Sequence, residues 1–166
     1  ITLIVHDWGG MIGMTYAARY PERIARLVVL NTAAFRLPVR KRLPPSIWLC
    51  RNTALGALLV RGFNAFARGA AKYGVTCKPM EPKVREAYLW PYNSWQNRIA
   101  TLRFVQDIPL ASGDRAYATV LATENALATL KDKPMMIAWG AKDFVFDDRF
   151  LDEWRCRFPD ADVNYF

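Results

Sequence analysis

The residues best suited to chemistry stand near the start of the chain, in Val5-His6-Asp7-Trp8-Gly9-Gly10. The preceding Thr2 to Val5 is β-branched and apolar and predicts a buried strand. Met11 to Tyr20, stopped by Pro21, predicts a helix, which leaves residues 6 to 10 as the turn between them. A carboxylate in such a turn is ionised near neutral pH. It can attack an electrophilic carbon without a general base and form an ester. The N-terminus of the following helix favours its charge. Backbone N–H groups, that of Trp8 among them, can hold the spare oxygen. The plain alternative is that Asp7 only caps the helix.

The elements that must position this aspartate are short and apolar. Leu27 to Leu30 and Met135 to Trp139 read as further strands, the latter stopped by Gly140. Such wholly apolar runs suit a parallel sheet covered on both faces. Asp148 to Phe158 reads as a helix and Asp162 to Phe166 as the start of a fourth strand. Strand and helix alternate, so the fold class is α/β. Between the second and third strands lies a stretch of different character, opened by Pro38, Pro44 and Pro45. Leu55 to Tyr73 is its clearest helix: Leu58, Leu59, Phe63, Phe66 and Ala70 share one side, and Arg61, Arg68 and Lys72 another. Glu81 to Leu89 and Ser94 to Val105 also read as helices. Residues 1–35 and 134–166 are therefore assigned to a sheet-bearing core, and 36–133 to a helical insertion that could act as a lid.

Composition bounds the function. At 52% hydrophobic and 23% charged, the 166 residues are not those of a disordered chain. No apolar run approaches the ~18 residues of a membrane span, and the start lacks the pattern of a signal peptide. Cys50, Cys77 and Cys156 are odd in number and widely spaced, forming neither a metal signature nor a disulfide framework. They point to a reducing compartment, taken as the cytoplasm. The net charge is +8, and residues 36–133 carry 16 Lys or Arg against 6 Asp or Glu. The aromatics lie in apolar runs instead of along a basic stripe, which argues against a nucleic-acid module. The basic Leu55–Tyr73 helix suits an anionic membrane face or an acidic partner protein, or simply a lid helix with a solvated side.

HDWGG resembles the nucleophile segment of the haloalkane dehalogenase and epoxide hydrolase branch of the α/β-hydrolases. There a strained strand-to-helix turn presents one side chain at the top of the sheet. That pattern needs a small residue two after the nucleophile, here Gly9, and usually glycine two before it, where this chain has Val5. RIATLRFVQDIPL (98–110) is similar to the stretch that closes the lid in haloalkane dehalogenases. IAWGAKDFVFDDRFLDEW (137–154) is similar to the strand and turn that deliver the acid of the triad. More closely, HDWGGMIGM (6–14), VVLNTAAF (28–35), GALLVRGFNAFARGAAKYGV (56–75) and NRIATLRFVQDIP (97–109) resemble the β-lactone decarboxylases of bacterial long-chain olefin biosynthesis.

The resemblance implies roles. Asp7 is the nucleophile. Trp8 supplies an oxyanion N–H and, in a dehalogenase, an indole N–H to the leaving halide. Asp143 orients and charge-stabilises a histidine. Some relatives carry the acid after the preceding strand, but here that strand ends in Asn31-Thr32, without a carboxylate. Tyr92, Asn93, Trp95 and Phe104 are candidates for a substrate pocket. An epoxide hydrolase would need lid tyrosines, for which Tyr88, Tyr92 and Tyr117 are available. No metal or cofactor is required.

His6 is the only histidine. Strand side chains alternate in direction, so His6 is poorly placed to serve its neighbour Asp7. The family order is nucleophile, acid, histidine, which would put the histidine beyond Phe166. The chain is thus expected to be an internal fragment of a longer enzyme, inactive by itself.

Two enzyme readings follow, both through Asp7. One is decarboxylation of a cis-β-lactone to a cis-alkene, with apolar lid helices holding the alkyl chains and a protein assembly or peripheral membrane as partner. The other is hydrolysis of a haloalkane or epoxide through an aspartyl ester. A third reading, an inactive or binding protein, follows from the missing histidine.

Overall fold

The computed structural model describes residues 1–166. In chain order its elements are β1 (Thr2–Asp7), α1 (Trp8–Arg19), β2 (Arg26–Thr32), α2 (Pro45–Asn52), α3 (Ala54–Phe63), α4 (Ala65–Tyr73), α5 (Pro82–Leu89), α6 (Ile99–Gln106), α7 (Tyr117–Ala126), β3 (Met135–Trp139), α8 (Asp148–Arg157) and β4 (Asp162–Tyr165). They form two compact units: Ile1–Arg42 with Pro109–Phe166, and Leu43–Ile108.

The first unit holds a four-stranded sheet in the order β1-β2-β3-β4, parallel throughout. Leu3, Leu27 and Met135 stand in register across three strands, and so do Val5, Val29 and Ile137. These side chains share one face. They pack with Met14 and Ala17 of α1, Leu127 and Leu130 after α7, and Phe150, Leu151 and Trp154 of α8 in one core. The row between them, Ile4, Val28 and Met136, belongs to the opposite face. Ile4 is 67% and Met136 37% exposed. Trp154 donates its indole N–H to the Thr32 carbonyl (2.8 Å) and meets the Phe35 ring edge-on. That fixes α8 against the end of β2.

Residues 36–42 and 109–133, assigned to the insertion in the sequence reading, group with the sheet. The reason lies in α7, whose Thr123 hydroxyl meets that of Thr15 on α1 (2.7 Å). An ion cluster adds to it: Glu124 of α7 accepts from Arg36 after β2 and from Arg157 of α8.

The second unit is wholly helical. The single helix expected over 55–73 is two, because Asn64 adopts a left-handed conformation (φ 54°, ψ 32°) between α3 and α4. Asparagine tolerates that region better than most residues. Arg98 closes the α3 end, donating to the carbonyls of Arg61 (2.6 Å), Gly62 (3.1 Å) and Tyr92 (2.7 Å). Residues 94 to 98 form turns, so the helix expected from Ser94 begins at Ile99. No helix in either unit is long and apolar enough to cross a membrane.

Candidate active site

β1 does not end in the expected five-residue turn. Asp7 is still in the strand and Trp8 already begins α1, so the reversal is concentrated at one residue. Asp7 sits at φ 49°, ψ −128°, a region that strains any residue with a Cβ. The β1–β2 register slips between Val5 and Asp7. The Thr32 hydroxyl donates to the Asp7 carbonyl and anchors the bend to the end of β2.

So sharp a bend drives the first turn of α1 against β2. A Cβ on Gly10 would stand 1.9 Å from the Thr32 hydroxyl and 2.7 Å from the Ala33 carbonyl oxygen. The sequence reading put this crowding at Gly9, yet a Cβ there would meet open space. With the helix beginning directly at Trp8, Gly10 is the residue turned towards the neighbouring strand.

The Asp7 side chain makes no capping hydrogen bond to α1, so capping does not account for it. Its surface is accessible to solvent. Even so, the surrounding protein disfavours its charge and raises its pKa above that of an ordinary aspartate. The charge of His6 and a hydrogen bond from the Trp8 backbone N–H pull the other way, and the charge of Asp143 adds to the rise. Asp143 lies near enough for its charge to be felt there. Parallel strands explain that proximity: the C-terminal ends of β1 and β3 share one edge of the sheet, where ligands bind in open α/β sheets.

Asp143 occupies the turn between β3 and α8. Its Oδ1 accepts from the backbone N–H groups of Val145 (2.8 Å) and Phe146 (3.0 Å). A strained, N–H-contacted carboxylate with a second carboxylate on the same sheet edge is an arrangement suited to nucleophilic attack supported by an acid–histidine pair.

Thr32, in the sequence only a position without a carboxylate, has a structural part: its hydroxyl holds the Asp7 backbone and its carbonyl holds Trp154. A polar pair closing an apolar strand was the available signal.

In the helical unit, a cavity of about 330 Å³ is lined by Phe63, Asn64, Arg68, Tyr92, Asn93 and Arg98, among others. Tyr92 and Asn93 therefore share a cavity. Trp95 does not line it, and its ring lies under the Arg61 guanidinium (4.3 Å). Phe104, on α6, is 47% exposed. Of the other tyrosines, Tyr88 is exposed on α5. Tyr117 is in the sheet unit, at the start of α7.

Residues 1–166 match the alpha/beta hydrolase fold family throughout. The chain belongs to the α/β-hydrolase fold family, as its parallel sheet and aspartate elbow indicate. It is 60% identical over 166 residues to the cis-3-alkyl-4-alkyloxetan-2-one decarboxylase of Shewanella oneidensis, covering all of this chain and 52% of that protein. To the enzyme of the same name from Xanthomonas campestris pv. campestris it is 46% identical, covering 55% of that protein. The crystal structure of a haloalkane dehalogenase from Bradyrhizobium elkani superposes with a TM-score of 0.82 at 20% identity, covering 98% of this chain and 57% of that one. This last likeness is one of fold. The chain spans about half the length of the curated relatives it matches.

Proposed function

We propose that the chain carries the nucleophile and acid of a decarboxylase acting on cis-β-lactones with two alkyl substituents. Supporting the activity class is one observation above the rest: a carboxylate, not a hydroxyl, stands at the strained end of β1. The substrate class is supported by likeness to two proteins named for decarboxylating a cis-3-alkyl-4-alkyloxetan-2-one.

In this reading a carboxylate oxygen of Asp7 attacks the saturated, alkyl-bearing ring carbon joined to the ring oxygen. The ring C–O bond breaks and frees the substrate carboxylate. The bond to that carboxylate then breaks, carbon dioxide leaves, and the electron pair forms the alkene as the ester C–O bond to Asp7 opens. Asp7 returns unchanged, and no water, oxidant or cofactor is consumed. The Trp8 N–H stabilises the spare oxygen of Asp7, and Asp143 acts through a histidine. The helical unit serves as a lid holding the alkyl chains, with Tyr92 and Asn93, which share a cavity, as pocket residues. Its nine Lys or Arg against three Asp or Glu favour contact with an anionic membrane surface or an acidic protein. Three free cysteines fit a cytoplasmic site of action.

The test is to incubate the natural gene product containing this sequence with a synthetic cis-β-lactone and assay the alkene by gas chromatography. Alkene formation that disappears in Asp7→Asn is the expected result. Halide release from haloalkanes without alkene formation would replace this reading with hydrolysis through an Asp7 ester, for which Trp8 beside the nucleophile is the favouring observation.

A further inference from the structure

The turn that carries Asp143 is held by two side chains from the β2 side of the unit, neither of which the reaction uses. The first is Asn31, buried near the end of β2. Its Nδ2 donates to the carbonyls of Gly140 (2.9 Å) and Phe146 (3.3 Å), and its Oδ1 accepts from the Gly140 N–H (2.7 Å). Gly140 and Phe146 flank Asp143, so one amide ties both sides of the turn to β2. Phe146 links it further, because its own N–H donates to Asp143 Oδ1.

The second is Lys41. Its Nζ stands 2.8 Å from Asp147 Oδ2, 3.4 Å from the Phe144 carbonyl oxygen and 5.8 Å from the centre of the Phe150 ring. Only 6% of its side chain is exposed. Lysine ordinarily keeps its ammonium in water. A buried ammonium is tolerated only with its partners in place, which makes this contact demanding about where the turn lies. Asp147 also caps α8 through the Arg149 N–H, so Lys41 fixes the point where the turn becomes helix.

We propose that Asn31 and Lys41 are positioning residues that clamp the turn from its two ends and so hold the Asp143 carboxylate in its working place. This rests on reading Asp143 as the acid of the site. Hydrogen bonds and ion pairs behind a catalytic group set how well it is pre-organised.

The test uses the natural gene product and its cis-β-lactone turnover, comparing Asp143→Asn, Asn31→Ala, Lys41→Met and the two double variants containing Asp143→Asn. Asn31→Ala and Lys41→Met are each expected to lower kcat by about tenfold with KM little changed. In the Asp143→Asn background neither should lower it further, because the clamp acts only through that carboxylate. Lys41→Arg should restore most of the loss. Should Asn31→Ala not fold, Asn31→Ser takes its place, and circular dichroism establishes folding for each variant. The clamp is overturned if the single variants retain full kcat, or if they lower it equally with and without the Asp143 carboxylate, as general loosening would. If Asp143→Asn itself keeps full activity, the reading of the acid has failed, and the clamp loses its purpose with it.

Discussion

At the scale of single residues, the strained bend at Asp7 and the close approach at Gly10 are one device. Asp7 takes up a backbone conformation that costs stability, and contacts with Thr32 hold it there. Burial raises its pKa, so the protonated form suits the folded state better than the charged one. The stabilisation this brings is present at low pH and is lost as pH rises through the folded-state pKa. Asp7→Asn is therefore expected to abolish turnover, by at least about 1,000-fold, and yet to raise Tm at pH 7. The gain in Tm should shrink below about pH 4, where even the unfolded aspartate is protonated. Calorimetry at several pH values checks this, and a fall in Tm at pH 7 would contradict it. For the wild type, the acid limb of the activity profile should lie above the ordinary aspartate pKa of about 3.9. At Gly10 there is no room for a methyl group beside Thr32 and the Ala33 carbonyl. Gly10→Ala should cost about 2 kcal/mol or more in denaturant unfolding, whereas Gly9→Ala should cost far less. Asp7, Trp8 and Asp143 stand out as candidates in the sequence because the chemistry proposed for them resides in residue type within short segments. The roles of Gly10 and Thr32 do not, because each depends on what the chain brings opposite it.

Between elements, the organising contact of the sheet unit is the Glu124 cluster. Burial by itself would raise the Glu124 pKa. Hydrogen bonds from the Arg36 side chain and backbone, with the charges of Arg36 and Arg157, outweigh burial and hold it below the usual range. A lowered folded pKa stabilises the protein above the unfolded glutamate pKa of about 4.3, and the benefit is lost as pH falls through the folded value. Glu124→Ala is expected to cost about 1 kcal/mol at pH 7, because Arg36 and Arg157 lose their shared carboxylate while Arg157 keeps Glu153. The deficit should be smaller at about pH 3, because it declines as pH falls from the unfolded pKa towards the lowered folded value. Urea unfolding at the two pH values checks both parts. Periodicity missed elements here for physical reasons. In α7, Val120 and Thr123 are buried while Ala118 and Thr119 are exposed, and short polar and apolar residues alternate without a clear stripe. In the helical unit the apolar spacing runs unbroken through Asn64, and nothing in that spacing marks the left-handed residue that divides α3 from α4.

For the molecule as a whole, the sheet has one packed face and one with exposed apolar side chains. Parallel sheets are ordinarily covered on both faces. Residues 1–166 expressed alone are expected to bind the dye ANS strongly and to self-associate, because Ile4 and Met136 are exposed there. Ile4→Lys with Met136→Lys should reduce both in fluorescence and light scattering, and unchanged dye binding would point to a different surface. Charge is also unevenly shared. Of the net +8, the helical unit from Leu43 to Ile108 supplies +6, since it holds nine of the 23 basic and three of the 15 acidic residues.

The α/β class, the family and Asp7 as the candidate carboxylate are all written in the linear sequence. Apolar runs, Gly–Pro punctuation and an aspartate between strand and helix are local properties, and local patterns survive in one dimension. Only in the fold does it emerge that the bend falls on Asp7 alone, that Gly10 is the crowded glycine, and that residues 109–133 group with the sheet. Only there, too, do Asn31 and Lys41 grip the turn of Asp143. Each of these depends on contacts between segments far apart in the chain, and neither composition nor spacing records which side chains will meet.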